Sequence, residues 1–227
     1  MEKIVILENV YKYIKNKKIL ENISFFVKKG EIFGILGPDG SGKTTILKII
    51  SNLLKPDKGK VEVYGKISFV PSYFNLYPDL KVNENLEFIR EIYEIDKDIF
   101  LKNKEELLKI TGLKEFEKNF AGNLSGGMKK KLLLISGILP NPDIIILDEI
   151  TTGLDPVSRK EIWEFLINYK NEKTIIFSTP YFKEGEKAER IIYLKEGNIE
   201  YYGNPKKIIE EKGVSSLEKA FLKYDRS

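Results

Sequence analysis

The stretch GILGPDGSGKTT, Gly34 to Thr45, decides the fold. Within it, Gly37 to Thr44 fits the spacing G-x-x-x-x-G-K-[ST]. The flanks supply the context this pattern needs. Ile32 to Leu36 before it reads as a strand. Thr45 to Leu54 after it reads as a helix, with Ile46, Ile49, Ile50, Leu53 and Leu54 at helical spacing and Pro56 and Gly59 as the stop. Glycines at such a turn let successive backbone N–H groups curl round a phosphate, and the helix N-terminus adds its positive end. Lys43 is placed to bridge the β- and γ-phosphates of a nucleotide, and Thr44 to reach Mg²⁺. A plain Gly-rich turn offers no reason for Lys43 and Thr44 to follow it. The candidate phosphate set is Gly37, Pro38, Asp39, Gly40, Ser41, Gly42, Lys43, Thr44 and Thr45.

Composition narrows the chemistry. The 227 residues contain no cysteine and no histidine, which excludes disulfides, thiolate metal sites and imidazole acid–base work by this chain. The formal charge of +4 is spread along the chain, so no nucleic-acid partner is expected. The amino terminus lacks a secretory pattern and no apolar run approaches bilayer length, so a membrane role is expected to come through a partner.

Outward from the loop, β-like runs are predicted at Ile4 to Val10, Ile19 to Val27, Val61 to Tyr64 and Ile67 to Val70. Lys81 to about Phe120 turns helical, followed by a helix over Met128 to Leu139. Ile144 to Leu147 has the look of a central parallel strand covered on both faces. A helix at Arg159 to Tyr169, a strand at Thr174 to Ser178, a hairpin of Arg190 to Leu194 with Asn198 to Tyr202, and a charged helical end complete the chain. Strands alternating with helices predict an α/β sandwich. The expected division is one domain over 1–227, with a core at about 1–78 and 140–227 and a helical lobe at about 79–139.

The buried strand delivers Asp148 and Glu149 at its carboxyl end, where open α/β sheets place ligands. Asp148, with Thr44, is the candidate Mg²⁺ ligand. Glu149 is the candidate base that orients or deprotonates an attacking water. Leu124-Ser125-Gly126-Gly127-Met128 opens another helix, and by itself is also simply a good N-cap. The order of these segments, ending in Gly153-Leu154-Asp155-Pro156, resembles the ATP-binding cassette family across essentially the whole chain. Thr-Thr-Gly-Leu-Asp-Pro-Val-Ser-Arg and the segment around Pro180 look more narrowly like ATPase subunits of ABC-2-type exporters. The resemblance implies a P-loop NTPase fold with an N-terminal antiparallel β subdomain, a mainly parallel core sheet and an inserted helical lobe. It implies ATP and Mg²⁺ as cofactors, a second cassette and a transmembrane permease as partners, and a place on the cytoplasmic face of the membrane. In that family two cassettes pair head to tail, so Ser125, Gly126 and Gly127 are expected to meet a nucleotide held mainly by the partner, and Asp155 to shape the route between the two sites.

Four positions depart from the family pattern. Pro180 stands where a histidine is expected, Ser72 where a glutamine is expected, and Met128 ends the signature. The adenine-stacking position falls on Ile14, with Tyr11 and Tyr13 adjacent. The insert after the loop helix is also shortened, to about Gly65-Lys66. Changes at both water-handling positions suggest slow or absent hydrolysis at this chain's own site, and pairing with a different, competent cassette. A soluble cassette acting without a permease is the other reading. Tyr73, Phe74, Leu76 and Tyr77 fit a docking groove or core packing equally. Trp163 is expected in the core, and Lys129 to Lys131 on a solvated face.

Overall fold

The structure, a computed structural model, describes residues 2–73, 76–170 and 173–222. β1 (Lys3–Ile14) and β2 (Lys17–Lys28) form a long antiparallel hairpin. Val5, Leu7 and Val10 on one strand and Ile23, Phe25 and Val27 on the other are buried, the alternation of a sheet with one wet face. Both strands outrun the expected spans. Asn9 and Asn22, at φ 48° and 50°, sit where the register shifts, and such bulges carry the pairing on through lysine-rich stretches that hide the alternation.

β3 (Ile32–Leu36) enters the Gly-rich turn, and α1 (Lys43–Ile50) leaves it. This helix starts two residues earlier than expected and stops four earlier, because Asn52 at φ 57° turns the chain. β4 (Lys58–Val63) pairs with β1, giving the sheet β2-β1-β4, and the chain passes through Tyr64 to Lys66 into β5 (Ile67–Val70). Three helices follow: α2 (Val82–Ile92), α3 (Lys97–Ile110) and α4 (Gly126–Ile138). They are inserted between β5 and β6 (Ile144–Asp148). Then come α5 (Pro156–Tyr169), β7 (Thr174–Thr179) and α6 (Phe182–Gly185), a short helix with no sequence forecast. β8 (Arg190–Lys195), β9 (Asn198–Gly203), α7 (Pro205–Glu211) and α8 (Leu217–Leu222) end the described chain.

The second sheet runs β5-β6-β7-β3-β8-β9, parallel throughout except for β9 at its edge. β3, β6 and β7 are wholly buried. Ile144 and Ile146 pack toward α1 and the first sheet, whereas Ile145 and Leu147 pack toward the helices, so the uninterrupted apolar run has a partner on each face. The fold is α/β, as expected, with an antiparallel N-terminal sheet and a mainly parallel core sheet. Trp163 lies in the core, its ring edge-on to Phe177 at 4.8 Å. Among the lysines expected on a solvated face, Lys130 is instead buried: α4 is covered on several sides, by β5, α2, α3 and α5, and three successive positions on a helix span too wide an arc to share one face.

In the helical insertion, Glu117 accepts from Lys104 at 2.8 Å and Lys114 at 2.9 Å, tying α3 to the segment that follows it. These two cations hold its carboxyl below the ordinary glutamate value of 4.5. A depressed folded pKa contributes stability that is complete above that value and is lost as pH falls through the folded value. Glu117→Gln is therefore expected to lower the melting temperature at neutral pH and to converge with wild type in acid, flattening the acid limb of a thermal-melt pH series.

Candidate nucleotide-binding site

Parallel pairing assembles the site. Leu36 pairs with Thr179 and Asp148 with Ser178, so the ends of β3, β6 and β7 open on one edge of the sheet. The turn after β3 needs its glycines. A Cβ on Gly37 would stand 2.2 Å from the main-chain oxygen of Leu194, and one on Gly42, at φ 107°, would stand 2.7 Å from Leu20. Pro38, Asp39 and Gly40 are exposed, whereas Ser41 and Lys43 are buried. Gly37→Ala is expected to displace the loop and weaken nucleotide binding at least about tenfold, readable by calorimetry, since main-chain oxygens cannot retreat as a flexible side chain can.

The Lys43 ammonium turns back over the loop, donating to the carbonyls of Gly37 at 2.9 Å and Pro38 at 3.0 Å. It also pairs with Glu149 at 3.1 Å. Thr44 donates through Oγ1 to Asp148, with both carboxylate oxygens within reach at 3.0 and 2.9 Å. Ser178 donates to Asp148 at 2.7 Å, and its own Oγ accepts from the Glu149 N–H at 3.1 Å. Glu149 sits at φ 48°, a conformation rare for a non-glycine residue and common at functional sites. Thus the phosphate loop, Thr44, Asp148 and Glu149 are joined in one hydrogen-bonded cluster.

The donor set suits a hard cation accompanied by phosphate. Thr44 and Asp148 supply the oxygen ligands that Mg²⁺ prefers, and among the described residues no group of three or more Asp, Glu, His or Cys forms a cage of its own. Ser41 Oγ is buried in the loop with no hydrogen-bond partner, an orphan group that an added phosphate oxygen could satisfy. Pro180 follows the end of β7 and brings no backbone donor, and Ser72 is exposed just past β5.

Other forecast residues lie apart from this cluster. Ser125 caps α4, its Oγ accepting from Met128 N–H at 3.3 Å. Ser125 and Gly126 are exposed, and among the described residues no hydrogen bond or ion pair joins them to Gly37 to Thr45. Gly127 is buried against α5, where a Cβ would meet Ser158 at 2.6 Å. Tyr13 and Ile14 are exposed at the turn end of the β1–β2 hairpin, whose Ile19 and Leu20 border Gly42. Tyr73 and Tyr77 are exposed and Leu76 is partly buried against the core, whereas Phe74 lies outside the described residues.

Two features escaped the sequence reading. Buried Glu184 accepts from Thr151 at 2.6 Å and Thr179 at 2.5 Å, tying the turn after Glu149 to the end of β7. Lys130 donates to the main-chain oxygen of Ser72. Neither residue stands in a recognisable spacing, so only three-dimensional proximity identifies them.

A profile described as ABC transporter matches residues 20–152. The chain is 36% identical over 230 residues to ABC transporter G family member 20 of Dictyostelium discoideum, covering 96% of this chain and 32% of that protein. It therefore spans about a third of the length of that relative. It is 35% identical to the Nod factor export ATP-binding protein I of Burkholderia orbicola, covering 89% of this chain and 71% of the relative. A solved dimeric ATP-binding cassette, in a post-hydrolysis state with ADP and Pi, superposes with a TM-score of 0.78 at 32% identity, over 88% of this chain and 98% of that one. The chain belongs to the ABC transporter family.

Proposed function

We propose that this chain is the ATP-binding subunit of an exporter, forming one cassette domain over residues 1–227 with a core at about 1–78 and 140–227 and a helical lobe at about 79–139. The observation that carries the reading is the cluster in which Lys43 meets Glu149 and Thr44 meets Asp148 at the mouth of the Gly-rich turn. Residues 37–45 hold the phosphate tail, Thr44 and Asp148 hold Mg²⁺, and Glu149 orients or deprotonates water. Bound Mg²⁺ supplies charge neutralisation for the phosphates. Ser125 and Gly126, exposed at the start of α4, with the buried Gly127 behind them, reach the nucleotide of a second cassette. Closure of the pair moves a membrane permease from the cytoplasmic side, with Tyr73 and Tyr77 exposed on the stretch that leads into the helical lobe. Among the described residues no helix is long and apolar enough to cross a membrane, and the name of one relative, Nod factor export ATP-binding protein I, supports the export reading. Co-purification from detergent extracts tests this: the tagged chain is expected to retain a multi-helix membrane protein, and recovery without one argues for a cassette that works alone.

A second reading has its own support. Ser72 and Pro180 offer neither a long amide nor an imidazole at the water-handling positions, which favours a cassette that binds nucleotide and hydrolyses it slowly or not at all, beside a competent partner. Steady-state ATPase of the isolated chain separates the two. Near-background turnover, unchanged by Glu149→Gln, supports the binding subunit. Brisk turnover that falls by roughly 10²-fold or more in Glu149→Gln establishes hydrolysis at this site.

A further inference from the structure

Of the three successive lysines on α4, the middle one is turned inward. Lys130 is 4% exposed, and its ammonium meets the main-chain oxygen of Ser72, just past β5. Burial pushes its pKa below the ordinary lysine value, while the negative charges of Asp148 and Glu149 favour the protonated form. A buried ammonium persists where polar and anionic groups hold it. β5 runs beside β6 with Val70 opposite Leu147, so the Ser72 oxygen that receives Lys130 lies next to the strand end that carries Asp148 and Glu149, the first held by Thr44 and Ser178, the second paired with Lys43. Ammonium groups from α1 and from α4 thus both stand near the carboxyl end of β6.

We propose that Lys130 is a second cationic residue of the nucleotide site, a positioning charge that offsets Asp148 and Glu149 and so lets the site accept a phosphate tail. The inference rests on the nucleotide reading above. With Lys43 alone, two carboxylates would outnumber the cations facing an incoming anion. With Lys130, Asp148 and Glu149 are matched by two cations, while Asp39, 3.8 Å from Lys43, is 91% exposed and screened by solvent. Electrostatics then requires opposite signs for the two ligands: removing the Lys130 charge weakens attraction for phosphate and lessens repulsion of a divalent cation. Because Mg²⁺ cancels about two of the negative charges on a nucleoside triphosphate, metal-free ATP loses more than MgATP does. A merely structural lysine gives no such split, since damaged packing weakens both.

The test is titration calorimetry of the full chain with ATP in EDTA and with MgATP. Lys130→Gln keeps a donor for the Ser72 oxygen and drops the charge. It is expected to weaken metal-free ATP by about tenfold and MgATP by about threefold, so that the advantage conferred by magnesium grows about threefold. Lys130→Arg, with its charge kept, is expected to hold the wild-type ratio. Lys130→Met, similar in shape and apolar, repeats the comparison should the glutamine variant fold poorly. Equal losses for both ligands, or none for either, overturn the role of Lys130 and leave the nucleotide reading standing. Absence of binding by the wild type to either ligand overturns that reading itself.

Discussion

Lys43→Ala is expected to weaken MgATP binding by about 3 kcal/mol, on the order of a hundredfold in Kd, with the folded chain retained. The size follows from where the ammonium sits. It is 4% exposed, fastened to two loop carbonyls, and its ion-pair partners are Glu149 at 3.1 Å and the exposed Asp39 at 3.8 Å. A phosphate arriving at the loop can take the ammonium from Glu149 without disturbing the carbonyls, so the cation is already oriented and little side-chain entropy remains to be lost. Alanine removes that cation and also leaves Glu149 without its neighbour, a negative charge facing a negative ligand. Arginine is not expected to rescue, because a planar fork cannot reproduce a point charge seated between two carbonyls. A Kd within threefold of wild type by calorimetry would remove the loop from the nucleotide site.

Arg190→Ala is expected to be the most destabilising polar substitution, lowering the melting temperature by roughly 10 °C. Glu31 and Arg190 join the start of β3 to the start of β8, and Glu31 is 4% exposed. Arg190 donates through Nε at 3.0 Å and through Nη2 at 2.5 Å to Glu31, and also to the main-chain oxygen of Phe26 at 3.0 Å. Its guanidinium lies 4.5 Å from the centre of the Phe26 ring. Deleting one member of such a pair strands the other as an uncompensated buried charge, which costs about 3–5 kcal/mol. Each kcal/mol shifts the midpoint of a domain this size by about 2–4 °C. The sign is checked by the double variant Glu31→Leu with Arg190→Met, expected to recover much of the loss. A single variant melting within 3 °C of wild type, in the same ~2–4 °C per kcal/mol terms, contradicts the account.

Much of the fold was legible because its core strands advertise themselves. Ile144 to Leu147 is apolar at every position, and a strand with no polar face has to be covered on both sides. The hairpin ends were harder. Lysines on β1 and β2 obscure the alternation, and the bulges at Asn9 and Asn22 that rescue it are backbone events with no fixed sequence sign. α6 escaped notice because four residues give no periodicity to read.

The phosphate site divides along the same line. Gly37 to Thr44 are contiguous, and a loop that wraps an anion with its own amides needs nothing from distant residues, so local spacing sufficed to propose it. Asp148 and Glu149 followed from their place at the end of a buried strand. Lys130 and Glu184 could not follow from anything local. A lysine among lysines and an acid in a short turn look like solvent-facing residues until packing turns one toward Ser72 and the other toward Thr151 and Thr179. Sequence determined which backbone could cradle a phosphate, because that capacity is written in consecutive residues. Tertiary structure alone decided which charges stand around it, because burial and long-range electrostatics depend on neighbours that the chain brings together only when folded.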